Sequence, residues 1–192
     1  ATPVLADVDL ETWTIDLAEL SRLITPKTKA VMPVHIYGQP ARIDEILEIA
    51  TDNGIYVIED CAEALGATYK SRRVGLDGHS TCFSFFANKS ITTGEGGMLV
   101  VKDAELAQRA RILRDHGMNP QKRYWHDHAG FNFRMTNMQA AVGVAQIGRV
   151  EELLSRKKAI FHAYDGLLAQ HEGVSLLPKN DWSENSYWLY TL

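Results

Sequence analysis

Three side chains capable of acid, base or nucleophilic chemistry follow strand-like segments of this sequence. Asp60 comes directly after a mostly apolar run, at the end of a predicted strand. Ser84 and Lys89 lie five residues apart, between an aromatic strand and the glycine-rich residues 94–97. A lysine in that position is partly removed from water, which favours a lysine that forms a Schiff base with a carbonyl group. Taken singly, the aspartate is more typical of a helix cap and the lysine of a solvated surface.

Together, the three side chains fit pyridoxal 5'-phosphate better than any other cofactor. Asp60 can pair with the ring nitrogen, Ser84 can donate to the phosphate, and Lys89 can hold the aldehyde. In open α/β sheets, ligands collect beyond the carboxyl ends of the strands. We therefore predict a pyridoxal-phosphate site there.

The elements that position these residues alternate between strand and helix patterns. We predict strands at 30–35, 55–58, 80–86 and 98–101, and helices at 16–24, 43–52 and 103–113. A long helical region follows Thr136, which forms a capping-box spacing with Gln139; we predict breaks near Gly148 and Gly166. This rhythm predicts an α/β fold with a mostly parallel sheet and helices on both faces. Residues 118–131 have no periodicity and are predicted to form a long loop.

Both ends of the sequence have the composition of a domain interior. Residues 4–8 and 186–192 are mostly apolar or aromatic and are predicted to be strands. Strands of this kind need partners to bury them, so we expect the chain to be a fragment. A shift towards Pro, Asn, Trp and Tyr predicts a boundary between 1–172, the central part of a large domain, and 173–192, the start of a small one.

Composition excludes several classes of function. The 192 residues are 45% hydrophobic, with a net charge of −4 and no basic block, so we expect no nucleic-acid partner. No apolar run reaches the roughly 20 residues of a membrane span, and residues 1–10 lack a signal-peptide pattern, so we expect a cytoplasmic protein without membrane contact. Cys61 and Cys82 are too few for a disulfide framework, which suits a reducing compartment.

Four segments resemble, in order, the motifs of the DegT/DnrJ/EryC1/StrS aminotransferases. They are DCAEALGA at 60–67, FSFFANK at 83–89, TGEGGM at 93–98 and GFNFRMT at 130–136. The resemblance runs from about residue 3 to the end of the sequence. It implies the large domain of a fold-type I pyridoxal-phosphate enzyme, followed by the start of a small C-terminal α/β domain. It also implies amino transfer from L-glutamate to a nucleotide-linked 4-keto-6-deoxy sugar.

The resemblance implies a role for each matching residue. Lys89 matches the lysine that binds the cofactor aldehyde and moves the proton, Asp60 the partner of the ring nitrogen, and Ser84 the phosphate ligand. Glu63 falls where many relatives have Gln or His near the ring, so we expect it to be protonated or paired if it faces the cofactor. Asn132 matches an asparagine that reaches the phosphate of a second subunit, which implies a homodimer with shared active sites.

Four further residues are candidate substrate contacts. His35 and Tyr37 lie at a predicted strand end, where a purely structural turn before Pro40 is an equal alternative. Tyr124 and Trp125 lie in the long loop, and aromatic faces of this kind suit sugar rings and bases.

The same loop contains His126 and His128, with His116 nearby. Because these histidines have no fixed spacing on a helix or strand, we predict a solvated loop and no metal site.

Two alternatives to the aminotransferase remain open at this point. A pyridoxal-phosphate sugar 3-dehydratase is one, although in that branch of the family a histidine replaces the lysine found here at Lys89. The other is a non-catalytic binding domain or an incomplete fragment. In relatives, an earlier segment supplies a further phosphate-binding turn, and we find no such turn in this sequence.

Overall fold

Five helices and seven short strands alternate along the computed structural model, which describes residues 1–192. The helices are α1 (Leu17–Leu23), α2 (Ile43–Asp52), α3 (Ala104–Arg114), α4 (Asn137–Ile147) and α5 (Val150–Leu168). The strands are β1 (Ala30–Val31), β2 (Tyr56–Asp60), β3 (Thr68–Tyr69), β4 (Arg72–Arg73), β5 (Ser80–Ser84), β6 (Gly97–Val101) and β7 (Ser183–Glu184), and a 3₁₀ turn covers Ile36–Gly38.

The main sheet has the strand order β1-β2-β5-β6. β1 and β2 are parallel, as are β2 and β5, whereas β6 runs antiparallel to β5. The predicted mostly parallel α/β sheet is therefore confirmed. Because β2 and β5 are parallel neighbours, their carboxyl ends, which carry Asp60 and Ser84, meet at one edge of the sheet.

Polar side chains fix the start of three helices. Asp16 accepts a hydrogen bond from the Glu19 N–H at the start of α1, and Asp103 caps α3 in the same way. The predicted capping box of Thr136 and Gln139 is present at the start of α4. With these caps, each of the three helices begins within one residue of its predicted start.

Several predicted strands and one helix break differ from the structure. The strand predicted at 30–35 is reduced to two residues, because Pro33 has no N–H to donate to the sheet. In the strand predicted at 4–8, only Val8 is paired, in an isolated bridge with Ile15. The strand predicted at 186–192 is absent, since Tyr187 has a φ of 58° that interrupts an extended backbone. The break predicted near Gly166 is wrong, because α5 continues through this glycine to Leu168.

A short second sheet, β4-β3-β7, was not predicted. β7 pairs antiparallel with β3, which joins residues 183–184 to residues 68–69. The pairing brings residues 183–184 back to the segment that follows β2. The domain boundary predicted after residue 172 stays a prediction.

The apolar core lies between α2 and the main sheet. Its buried members come from residues 20–74, and they include Ile43 and Ile46 of α2, Val57 of β2, and Ala64 and Ala67 beyond it. This packing supports the carboxyl end of β2 from below. None of the helices combines the length and apolar character needed to cross a bilayer.

Candidate functional site

Asp60 is the last residue of β2, and only one oxygen of its carboxylate accepts a hydrogen bond. Its Oδ1 accepts a hydrogen bond of 2.9 Å from the Ala62 N–H, and its other oxygen has no hydrogen-bond partner. The Cys61 N–H donates to the Cys82 carbonyl, which ties the end of β2 to β5. Ser84 lies two residues further along β5, and its Oγ accepts from the Phe86 N–H at 3.3 Å.

The glycine-rich turn holds the Lys89 segment in place. Thr92 exchanges two hydrogen bonds with the Gln146 side chain of α4, at 3.0 and 2.9 Å. Gly96 has a φ of 154°, and a Cβ there would collide with Thr93 Oγ1, so no larger residue fits this turn unchanged. The turn after β5 is therefore anchored at both its glycine and its threonine.

Lys89 lies in a nearly closed environment, with only 13% of its side chain exposed. Its Nζ donates no hydrogen bond and lies 3.9 Å from Glu63 Oε1. The same Nζ is 4.0 Å from the centre of the Trp188 ring. Glu63 is oriented by its other oxygen, which accepts from the Tyr37 N–H at 2.7 Å. The two oxygens of Glu63 thus face the Lys89 side chain and a backbone amide.

Trp188 was missed by the sequence analysis. Its Nε1–H donates to the Asn88 carbonyl at 3.0 Å, and its own carbonyl accepts from Lys157 Nζ at 3.1 Å. Burial lowers the pKa of Lys157. The Tyr37 ring stacks with the indole, with ring centres 6.4 Å apart and planes 11° apart. The aromatic composition of residues 186–190 was a signal for burial, but no local pattern indicates which distant residue such a ring will cover.

Residues 183–188, which we name the strap, hold Trp188 over the site. The Ser186 N–H donates to the Gly38 carbonyl at 3.1 Å, and Ser186 Oγ donates to the Glu63 carbonyl at 2.7 Å. Tyr37, beside this contact, has a φ of 52°, which is unfavourable for a residue other than glycine. Strained backbone held by surrounding contacts is common at functional sites. The strap therefore connects Glu63, Tyr37 and the lysine in one assembly.

His35 lies beneath the site, where it contacts the buried Glu59. His35 Nδ1 accepts from the Ala41 N–H at 3.0 Å, so Nε2 carries the hydrogen and donates to Glu59 at 3.1 Å. Both side chains are fully buried. Because both ring nitrogens are occupied, the structure places His35 as a support for β2, away from any surface that substrate could reach.

Glu59 is fully satisfied in this interior position. Besides His35, its carboxylate accepts from three backbone N–H groups, those of Gly75, Asp77 and Gly78. Burial alone would raise the pKa of Glu59, but the hydrogen bonds from His35 and the backbone outweigh it and hold the pKa below its usual range. Glu59 is therefore an ionised structural group.

The other predicted residues lie outside the lysine cluster. Asn132 is exposed, and its side chain makes no hydrogen bond within the chain. Tyr124 and Trp125 are also exposed. The Arg123 side chain faces the Tyr124 ring, and the Lys122 side chain faces the Trp125 ring. No hydrogen bond, ion pair or ring contact joins these three residues to Lys89, so their roles stay predictions.

Potential metal ligands form one close group. It consists of His35, Glu59 and Cys61, all buried. The nitrogens and carboxylate oxygens of this group are already used in the hydrogen bonds described above, and burial raises the pKa of the Cys61 thiol. In the loop, His126 Nδ1 donates a hydrogen bond to the His116 carbonyl at 2.9 Å.

Comparisons with known proteins agree with this geometry. The family model described as the DegT/DnrJ/EryC1/StrS aminotransferase family matches residues 1–192. The chain is 48% identical to GDP-perosamine synthase of Caulobacter vibrioides, over 100% of this chain and 52% of the relative. It is 46% identical to GDP-perosamine synthase of Escherichia coli O157:H7, over 85% of this chain and 45% of the relative.

A solved structure, the aminotransferase from Psychrobacter cryohalolentis, superimposes with a TM-score of 0.88 at 35% identity. The match covers 98% of this chain and 52% of that one. The chain thus spans about half the length of the curated relatives and solved structures that it matches.

Proposed function

Because the chain belongs to the DegT/DnrJ/EryC1/StrS aminotransferase family, we propose that it carries the lysine-bearing part of a pyridoxal-phosphate aminotransferase. The reaction proposed is amino transfer from L-glutamate to a nucleotide-linked 4-keto-6-deoxy sugar. The observation that carries the proposal is a nearly buried lysine whose Nζ donates no hydrogen bond and lies 3.9 Å from a carboxylate. Such an amine is held in position without being used in the fold.

The donor set at the sheet edge fits pyridoxal phosphate. Asp60 has one carboxylate oxygen without a partner, which suits a protonated ring nitrogen. Ser84 Oγ accepts only a long hydrogen bond from a backbone amide, so its hydroxyl hydrogen is available to a phosphate oxygen. Lys89 supplies the amine for the aldehyde. When bound, the cofactor would supply an electron-withdrawing ring and an aldehyde that carries the amino group.

The chain's own residues provide proton transfer and orientation. Lys89 Nζ would take the proton from the α-carbon of glutamate and deliver it to the cofactor carbon that carries the transferred nitrogen. Glu63 holds this amine on one side, and its own direction is set by the Tyr37 N–H. Trp188 covers another side of the amine and limits its access to water.

The names of the relatives support a particular sugar. Two of them are GDP-perosamine synthases at 48% and 46% identity. We therefore propose a perosamine synthase-like reaction on a GDP-linked sugar. The 3-dehydratase alternative is weakened by Lys89, which stands where that branch of the family has histidine.

The proposed enzyme is a homodimer with shared active sites. Asn132 is exposed with a free amide, as a residue reaching a second subunit would be. Next to it, Phe131 and Phe133 stack on each other at 4.9 Å and are both exposed. Exposed aromatic pairs of this kind suit a protein interface. We place the reaction in the cytoplasm, since both cysteines are free.

Cofactor capture at Lys89 tests the proposal. The protein is mixed with pyridoxal phosphate, reduced with borohydride and digested, and we expect the mass of the phosphopyridoxyl group on Lys89. Transfer of ¹⁵N from glutamate is then measured on a panel of GDP-, dTDP- and UDP-linked keto-sugars, with the GDP sugar expected as the best acceptor. The Lys89→Ala variant should lose both the label and the transfer.

The matched control is Lys102→Ala, which removes an exposed lysine after β6 that donates to a backbone carbonyl. It should label at Lys89 and transfer nitrogen like the wild type. A wild-type protein that takes up cofactor but transfers no nitrogen supports the incomplete fragment. Uptake of the label in Lys89→Ala equal to that in the wild type contradicts the assignment of Lys89.

A further inference from the structure

Lys157, in the middle of α5, is a partly buried lysine without a carboxylate partner. Its neighbours along the helix, Arg156 and Lys158, form ion pairs with Glu152 and Glu184, whereas Lys157 forms none. Burial removes water from its ammonium group and lowers the pKa of Lys157. Because burying a cation without a counter-ion costs free energy, solubility does not explain the position of this lysine.

The side chain of Lys157 makes one hydrogen bond, and this bond is to the strap. Its Nζ donates to the Trp188 carbonyl at 3.1 Å. Residues 187–192 form no backbone–backbone hydrogen bond, and the Tyr187 N–H donates only to the Asn185 side chain, two residues before it. The bond from Lys157 is therefore the only hydrogen bond between the backbone of residues 187–192 and a distant part of the chain.

The backbone at this point needs a contact that holds it. Tyr187, directly before Trp188, has a φ of 58°, which costs free energy in a residue other than glycine. Such a residue persists only where the surrounding structure holds it. The Tyr187 ring packs edge-on against Phe161, one turn along α5 from Lys157, with ring centres 5.2 Å apart. Helix α5 thus contacts both the strained residue and the carbonyl that follows it.

Trp188 connects this contact to the Lys89 amine. Its Nε1–H donates to the Asn88 carbonyl at 3.0 Å, and its ring centre lies 4.0 Å from Lys89 Nζ. The residue is therefore held at its carbonyl by α5 and at its ring by the segment that carries Lys89. Without the bond to the carbonyl, the ring contacts alone would fix the indole.

We propose that Lys157 is a positioning residue that keeps the Trp188 indole over the Lys89 amine by holding the Trp188 carbonyl. The importance of this contact for amino transfer rests on the proposed function, but the shielding of the amine does not. Because Lys157 acts through Trp188, the effects of the two side chains on the amine are coupled and not additive.

Labelling of Lys89 by trinitrobenzenesulfonate in the cofactor-free chain tests the proposal without turnover. Lys157→Met keeps an apolar stem and removes the donor. It should label Lys89 at least about threefold faster than wild type, because a hydrogen bond from a charged group is lost. Lys157→Arg keeps a charged donor and should label Lys89 within about twofold of wild type. Loss of positive charge alone favours the protonated, unreactive amine and would slow labelling, so faster labelling reports displacement of the indole.

The matched control is Lys158→Met, at the next position of α5. It removes the ion pair with Glu184 of the same strap and leaves the Trp188 carbonyl bound. Lys89 should be labelled at the wild-type rate in this variant, since exposed ion pairs contribute little. In the Trp188→Ala background, Lys157→Met should not change the rate further, because no ring remains to be held.

Equal labelling of Lys89 in wild type and Lys157→Met overturns the proposal, as does an acceleration that persists in the Trp188→Ala background. Labelling in Lys157→Arg as fast as in Lys157→Met also counts against it, since a donor at this position would then not hold the indole. Faster labelling of the exposed Lys102 in step with Lys89 would indicate a general loss of structure and refute the positioning role. If the labelling pattern is as expected but the wild type captures no cofactor at Lys89, the proposed function fails and the role of Lys157 stands.

Discussion

Glu59 and Asp60 are adjacent in β2, but their carboxylates differ in burial and in the number of hydrogen bonds they accept. Glu59 faces the interior and accepts from three backbone N–H groups and His35. Asp60 faces the sheet edge and accepts from a single N–H. A strand alternates its side chains between two faces, so one residue step separates a closed carboxylate from an open one. Spare bonding capacity, more than charge, is what distinguishes the group available for chemistry.

The same contrast separates their surroundings. On the inner side, both carboxylate oxygens of Glu59 have partners, and the His35 ring has no nitrogen left for a ligand. On the outer side, Lys89 Nζ donates no hydrogen bond and is held by Glu63 and the face of Trp188. The inner face thus provides rigidity, and the outer face keeps an amine and a carboxylate free.

The largest effect that would sharpen this contrast is on stability. Replacing Glu59 with alanine leaves three backbone N–H donors, two of them buried, and the His35 Nε2–H without an acceptor. We expect the free energy of unfolding to fall by about 3 kcal/mol or more. Urea unfolding followed by circular dichroism measures it. Glu48→Ala, which removes an exposed glutamate of α2, should change it by less than about 0.5 kcal/mol; equal losses in both variants would contradict the structural role.

Acid titration supplies a second arm of that experiment. The pKa of Glu59 is lowered in the folded state, so its contribution is complete above the unfolded pKa of about 4.3 and is lost as pH falls through the lower folded value. The stability difference between wild type and Glu59→Gln should therefore be constant near neutral pH and shrink below about pH 4.5. A difference that grows on acidification would reverse the assigned direction.

The next effect is on activity and concerns Asp60→Asn. The amide oxygen can still accept from the Ala62 N–H, so we expect a stability change within about 1 kcal/mol. The negative charge is lost, so amino transfer should fall by about a hundredfold, as when one electrostatic group is removed from an active site. Turnover and urea unfolding are measured on one preparation. A stability loss matching that of Glu59→Ala would erase the distinction between the two faces.

Local sequence features led to predictions for the outer face and to few for the inner one. Asp60, Ser84 and Lys89 were predicted as site residues because motif order and strand ends are local features. For His35, the sequence left a substrate contact and a structural turn as equal alternatives, because nothing local shows that its two nitrogens bond to Ala41 and Glu59. Residues 55–58 before Glu59 are apolar without alternation, so periodicity could not assign Glu59 to the interior.

The strap was the part least accessible to prediction. Its pairing with β3 joins residues more than a hundred positions apart, and β7 has only two residues, too few to show alternation. The strand predicted at 186–192 instead contains a left-handed residue at Tyr187. Positions fixed by such long-range contacts depend on the whole fold. The position of Trp188 beside Lys89 is one of them.

The smallest effect concerns Trp188, which closes the outer face over Lys89. A cation near an aromatic face gains about 1 kcal/mol, so Trp188→Ala should lower kcat by about fivefold. Trp188→Phe retains a ring and loses the Nε1–H bond to Asn88, so it should stay within about twofold of wild type.

Chemical labelling separates this positioning role from a general loss of structure. In cofactor-free protein, trinitrobenzenesulfonate should modify Lys89 faster in Trp188→Ala than in wild type or Trp188→Phe, with the modified site read by mass spectrometry. Labelling of the exposed Lys102 should be the same in all three proteins. Equal labelling of Lys89 in the three would show that the indole does not shield the amine. The low exposure of the Lys89 amine would then be due to Glu63 and the glycine-rich turn alone.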